Sequence, residues 1–253
     1  PAPARVRRLR DQAIPFDRSI WRDMAEAGWS GVLVPEALGG HGLGAAEAML
    51  IASELGRGLA PEPYVACGLM VVQALVPIAT DSAPARALLE QVLAGQTLVA
   101  LAWQEAAGEL GIDDVRMRAV RKGEGWQLEG GVKRFVPLAD AADGFLVYAL
   151  EDGNPVLFWI TRPAAIRTTR TVDGLNFGEV DVEGLVLSAD ARLASGPVVR
   201  DAVAQAIELG RLASAFELVG VAERALDATV AYTSQRAEAA ERASVGLAVL
   251  GAA

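Results

Sequence analysis

From Val198 to Arg236 the chain runs without a proline, and apolar residues recur along it at three- and four-residue steps. That spacing predicts a single helix roughly 55–60 Å long at 1.5 Å per residue. A long helix with apolar residues along it needs other helices beside it. The sequence stops soon after, so the expectation is an incomplete C-terminal bundle that finds partner surface in another chain.

The residues before this helix divide in two. To about Gln96 the pattern is helical. Ser19 is placed to cap a helix with Ile20, Trp21, Met24 and Ala25 on one face, ended by Gly28. A strand-like step, Trp29 to Val34, leads to Gly40-His41-Gly42-Leu43-Gly44. Ala45–Leu59 and Ala83–Ala94 read as helices, and the apolar run Cys67–Ala79, broken by Gln73 and Pro77, as a buried one too short to span a bilayer. From Thr97 to Ser195 the character changes. Leu98–Trp103, Trp126–Glu129, Phe145–Leu150 and Val156–Ile160 are short runs bounded by Gly, Asp and Asn, the pattern of a small barrel or sandwich. The fold class expected is multi-domain α+β: an N-terminal all-α domain over 1–96, a central β-domain over 97–195 and a C-terminal helical domain over 196–253.

Charge and residue type exclude several functions. A net charge of −9 argues against nucleic acid and against an anionic membrane surface. Cys67 is the only cysteine and His41 the only histidine, so no intrachain disulfide, Cys-rich or His-based metal cluster is expected. One cysteine and no secretory leader suit a cytoplasmic protein. The glycines around His41 do not form G-x-G-x-x-G after a clear strand, so a structural turn is the better reading.

Read together, the motifs resemble one family. Trp21, Trp29-Ser30-Gly31-Val32, Val34-Pro35-Glu36, Gly39-Gly40 and Gly42-Leu43-Gly44 are similar to the N-terminal signature of the acyl-CoA dehydrogenases. Glu54-Leu55-Gly56-Arg57, Pro61 and Pro63, Leu98 to Glu105, and Gly130 to Asp143 with Lys133, Phe135 and Val136 continue the pattern in order. Arg170 to Gly174, then Gly220, Arg224, Asp227, Tyr232 and Arg236 complete it.

The resemblance implies a FAD-dependent enzyme that removes hydrogens from the α and β carbons of an acyl-CoA thioester, fatty or steroidal. A carboxylate takes the α-proton, a hydride goes to the flavin, and an electron-transfer flavoprotein-like acceptor reoxidises it. Trp103, Gln104 and Glu105 fall on the strand that lines the flavin ring in this family, and Phe135 and Val136 match the aromatic–aliphatic pair beside it. Pro137 stands where a Thr is common and has no N–H to donate. Arg236 matches the arginine that reaches the FAD pyrophosphate, often a neighbouring subunit's; a solvated helix-end cation is the competing reading. The catalytic base is unassigned. Some members carry it on the long helix at the position of Gly210, and Glu208, the candidate carboxylate, is rotated about 200° from there. Two explanations fit the missing C-terminal segment: a sequence with helices left out, or a degenerate subunit paired with a catalytic homologue in a homo- or heterotetramer, as in bacterial steroid side-chain degradation.

Overall fold

Short helices come first. The computed structural model describes residues 3–12, 14–161, 165–172 and 174–250, with side chains to 236. Helix α1 spans Pro3–Arg10, α2 Arg18–Glu26 and α3 Ala45–Gly58; a π-helical segment, Tyr64–Met70, runs into α4, Val71–Ala79, and α5 is Ala83–Leu93. The cap of α2 is Asp17 rather than Ser19: its carboxylate accepts from Ser19 N at 2.9 Å and Ser19 Oγ at 2.8 Å. Trp21, Met24 and Ala25 are buried as expected, but Ile20 is turned out.

Trp29–Val34 is not a strand. Gly28, at φ +80°, leads into a 3-10 turn, Trp29–Gly31. The Gly31, Val34 and Val32 carbonyls accept instead from His41, Gly42 and Leu43 N at 2.9, 2.8 and 2.9 Å. A Cβ on Gly40 would lie 2.2 Å from Val34 O, so the glycine-rich run is a folded corner with His41 exposed on it.

Ten strands follow among the described residues: β1 Val99–Ala102, β2 Arg118–Lys122, β3 Gly125–Glu129, β4 Val132–Pro137, β5 Gly144–Glu151, β6 Asn154–Thr161, β7 Ile166–Arg170, β8 Asn176–Asp181, β9 Val186–Leu187 and β10 Arg192–Ser195. One sheet has the order β10-β6-β5-β2-β3-β9, with β1 parallel to β5 in the register Val99↔Gly144; the other is β4-β8-β7. The β5–β6 hairpin turns on Asp152 and Gly153, at φ +50° and +81°, the Asp-Gly pair that a two-residue turn of right-handed strands favours. Both sheets bury their inner residues in one core, where Phe145, Tyr148 and Phe158 of the first meet Val136 and Val180 of the second.

The last helix, α6, runs Pro197–Leu250, well past Arg236 and about 80 Å long. Its first turns complete the same core with Val199, Val203, Ala206 and Ile207, which also contains α4, α5 and β1. Two glycines let α6 lie against α3. A Cβ on Gly56 would fall 2.1 Å from the Glu217 carbonyl oxygen, and one on Gly220 would fall 1.9 Å from Ser53 O. The Glu54–Arg57 and Gly220 motifs are therefore where two backbones touch. Further along, Leu218, Leu226 and Tyr232 are 68%, 64% and 58% exposed, so the apolar stripe of α6 is left without cover over this stretch.

Candidate functional site

The end of β1, a bulge in β4 and the middle of α6 face one another across a cleft. Pairing of β4 with β8 slips between Lys133 and Val136, and Phe135 in the slip sits at φ +52°. A bulky side chain rarely adopts that backbone; the bulge imposes it and aims the ring outward, 47% exposed. Val136, next in the chain, points the other way into the core.

A buried ion pair fixes this geometry. Lys133 is fully buried, and its Nζ donates to Trp103 O at 3.1 Å and to Glu105 Oε1 at 2.7 Å. Glu105 also accepts from Arg116 N at 2.8 Å and Met117 N at 3.0 Å. Burial pulls the Lys133 ammonium down to about 8, and the Glu105 carboxylate opposes that pull. The strut locks the chain leaving β1 to β4, so Trp103 and Phe135 hold fixed positions.

The cleft has a volume of ≈ 320 Å³, and its walls include Tyr64, Met70, Trp103, Phe135, Pro137 and Glu217. It is mostly apolar, with two acids. Glu62 is ion-paired with Arg5. Glu217 is on α6, where the Gly56 contact sets the helix's distance and rotation; burial alone acts on it and pushes its carboxyl up to about 7. The Tyr64 hydroxyl is buried with no hydrogen-bond partner among the described residues, and burial pushes its phenol well above the usual range.

Of the residues singled out from the sequence, Trp103 and Phe135 line the cleft together with Pro137. Gln104 adjoins it, but its side-chain amide donates to Ala106 O at 3.2 Å and Glu109 O at 2.9 Å. Glu105 and Val136 are turned inward, as described. Glu208 is on the surface, paired with Arg211, and does not reach the cleft. Arg236 is exposed far along α6, its guanidinium 5.8 Å from the Tyr232 ring centre. At Gly210 a Cβ would lie 2.5 Å from Met70 Sδ, so that position is filled by a side chain of the π-helical segment.

Sequence reasoning passed over Tyr64, Met70 and Glu217. The available signal for Glu217 was its spacing: seven residues beyond Gly210, two helical turns, hence the same face. Toward a flavin, the cleft offers aromatic surface from Trp103 and Phe135. The Gln104 amide is already used and Pro137 has no N–H, so these walls fit the flat face of a ring better than its polar edge.

Residues 2–96 match the family model described as acyl-CoA dehydrogenase, N-terminal domain. The chain is 30% identical over 233 residues to acyl-CoA dehydrogenase FadE27 of Mycobacterium tuberculosis, covering 87% of this chain and 57% of that protein. Among solved structures, a Tcur3481–Tcur3483 steroid ACAD variant aligns at 30% identity with a TM-score of 0.74, over 90% of this chain and 61% of the other. The ChsE4–ChsE5 complex from Mycobacterium tuberculosis aligns at 26% with a TM-score of 0.70, over 89% and 60%. The chain thus spans less than two thirds of the length of each of these relatives.

Proposed function

Since the chain belongs to the acyl-CoA dehydrogenase family, we propose that it forms part of a FAD-dependent enzyme that dehydrogenates an acyl-CoA thioester at its α and β carbons, and that it works with a homologous subunit. The observation that carries this is the cleft itself: two aromatic walls held by a buried ion pair, facing α6. Bound FAD supplies the acceptor for the hydride. Trp103 and Phe135 would flank its ring, and Arg236 would meet a diphosphate across a subunit boundary. Met70, Pro137 and the apolar lining keep water from the reacting carbons. An electron-transfer flavoprotein completes the cycle, in the cytoplasm. The three regions 1–96, 97–195 and 196–253 are read as its domains.

Among the described residues no carboxylate stands at Gly210, where the family resemblance puts the base in some members. Met70 occupies the space beside Gly210, and Glu208 is paired on the surface. Glu217 lines the cleft but lies about 10 Å along α6 from Gly210, so it does not occupy that position. Paired subunits in the names of two similar structures support an assembly of unlike chains. The same features favour a second reading, a structural subunit whose cleft stays idle while it completes its partner's pocket. Flavin content separates them. Co-expression with a homologue should give two flavins per pair of chains if this cleft holds one, and one flavin if it is idle.

A further inference from the structure

Helix α1 is built to lie on the surface: four of its eight residues are arginine, and of residues 4–10 only Leu9 is buried. What holds it is mostly polar. Near its start, the Arg5 guanidinium donates to the buried Glu62 carboxylate through Nη2 and, at 3.5 Å, Nη1. Near its end, the Arg10 stem crosses Gly174 in the β7–β8 turn, and Arg170 of β7 donates to the Gln12 carbonyl just beyond the helix. Glu62 lies in one wall of the cleft, and Leu175, beside Gly174, in another. Arg5 and Arg10 are about 7.5 Å apart along the helix axis, so α1 ties those two walls together.

The tie lies at the end of the cleft away from Phe135. Along β4 and β8 the register runs from Val136↔Gly178 to Pro137↔Phe177, and Leu138 N then donates to Asn176 O at 2.8 Å. Leu175 and Gly174 come next in that direction, at the turn that α1 crosses. Phe135 and Leu138 are separated by about 10 Å of strand. With a flavin ring beside Trp103 and Phe135, the tail of an acyl group in this cleft runs toward α1.

We propose that α1 is a strap across the tail end of the cleft, latched by Arg5 and Glu62, and that it limits the length of the acyl group admitted. The inference rests on the acyl-CoA reading of the cleft and adds the residues that set the size of the acyl portion. A short acyl group ends before the strap. A longer one reaches it and must lift it, which exposes Leu9 and exchanges the polar contacts at Glu62 and Gln12 for contacts with water. Lifting also admits water to the Glu62 carboxylate, so the latch opens without stranding a buried charge.

The strap can be locked. A Cβ on Gly174 would lie 3.4 Å from Arg10 Cβ, close to the separation that a disulfide spans. Arg10→Cys with Gly174→Cys therefore makes a reversible staple, and the one native cysteine, Cys67, is buried and does not compete. The strain of a cysteine at φ +86° is common to the oxidised and reduced forms. Dissociation constants of butanoyl-, octanoyl- and hexadecanoyl-CoA are measured by calorimetry on the complex as purified, without an electron acceptor, before and after reduction. Free CoA is the reference, and the wild-type complex treated alike is the control. Locking should weaken hexadecanoyl-CoA at least about tenfold, the effect of keeping roughly two of its methylenes from apolar surface, and leave butanoyl-CoA within about twofold. Arg5→Ala with Glu62→Gln cuts the latch and leaves no uncompensated charge. That variant should raise the preference for hexadecanoyl- over octanoyl-CoA about tenfold. Chain-length profiles that locking leaves unchanged, or that cutting the latch leaves unchanged, overturn the strap and leave the acyl-CoA reading intact. Failure of every thioester to bind better than CoA in either form overturns both.

Discussion

Replacing Glu217 with glutamine should remove one pH-dependent contribution to the protein's stability across the neutral range. The carboxyl sits in the cleft without a partner, and burial raises its pKa from 4.5 to about 7. A group whose folded pKa lies above its unfolded value favours folding fully at pH below the unfolded value. That contribution is lost as the pH rises through the folded one. Here the window runs from about pH 4.5 to above 7, and the ionised form is what the fold disfavours. With these two values the wild type should lose about 2 kcal/mol between pH 5.5 and 8.5 from this one group, less whatever water entering the cleft screens. Glu217→Gln keeps the shape and abolishes the titration. Urea unfolding of both proteins at the two pH values isolates the term, because every other titrating group is common to both. The expected result is a stability difference that shifts by about 2 kcal/mol in favour of the glutamine variant at the higher pH. Parallel pH profiles would refute the reasoning, placing Glu217 in water rather than in the cleft.

Three further outcomes follow from named contacts. Gly56→Ala puts a methyl 2.1 Å from the Glu217 carbonyl oxygen; thermal unfolding should show a loss of about 1–3 kcal/mol as α3 and α6 separate. Lys133→Met leaves the Glu105 carboxylate buried with its two backbone donors but no cation, and denaturant titration should show a loss of about 3–5 kcal/mol. Arg236→Ala touches nothing that stabilises the described chain beyond the Tyr232 side chain. It should therefore leave the melting temperature within about a degree and lower only the flavin retained by the assembled complex; unchanged flavin content would remove Arg236 from the diphosphate.

Much of the fold was legible because its signals are local. The Asp152-Gly153 turn, the strands around it and the proline-free stretch of α6 all follow from spacing over a few residues. Apart from the α2 cap, which passes to Asp17 two residues before Ser19, the differences share a cause: each depended on residues distant in the chain. Trp29–Val34 has the composition of a strand, but its carbonyls are taken by residues 41–43, not by a strand partner. Glu105 occupies the expected strand end, yet two amides and Lys133 draw its carboxylate inward. Glu217 looks like any acid on a long helix until Gly56 brings α3 against its carbonyl and fixes which way the side chain faces. Phe135 and Val136 were read as a pair beside a ring, and the bulge in β4 sends them to opposite sides. Family resemblance pointed to the ends of β1 and β4, and tertiary contacts decide which of their residues open onto the cleft.

The central claim is that this cleft takes part in flavin-dependent oxidation of an acyl-CoA. Its most direct test is an anaerobic titration of the purified complex with an acyl-CoA while the visible flavin band is recorded. Loss of the yellow colour with one equivalent of thioester per flavin, slowed when Trp103 or Phe135 is replaced by alanine, is the predicted result. A flavin band that acyl-CoA leaves unchanged, or bleaching indifferent to both substitutions, would contradict it.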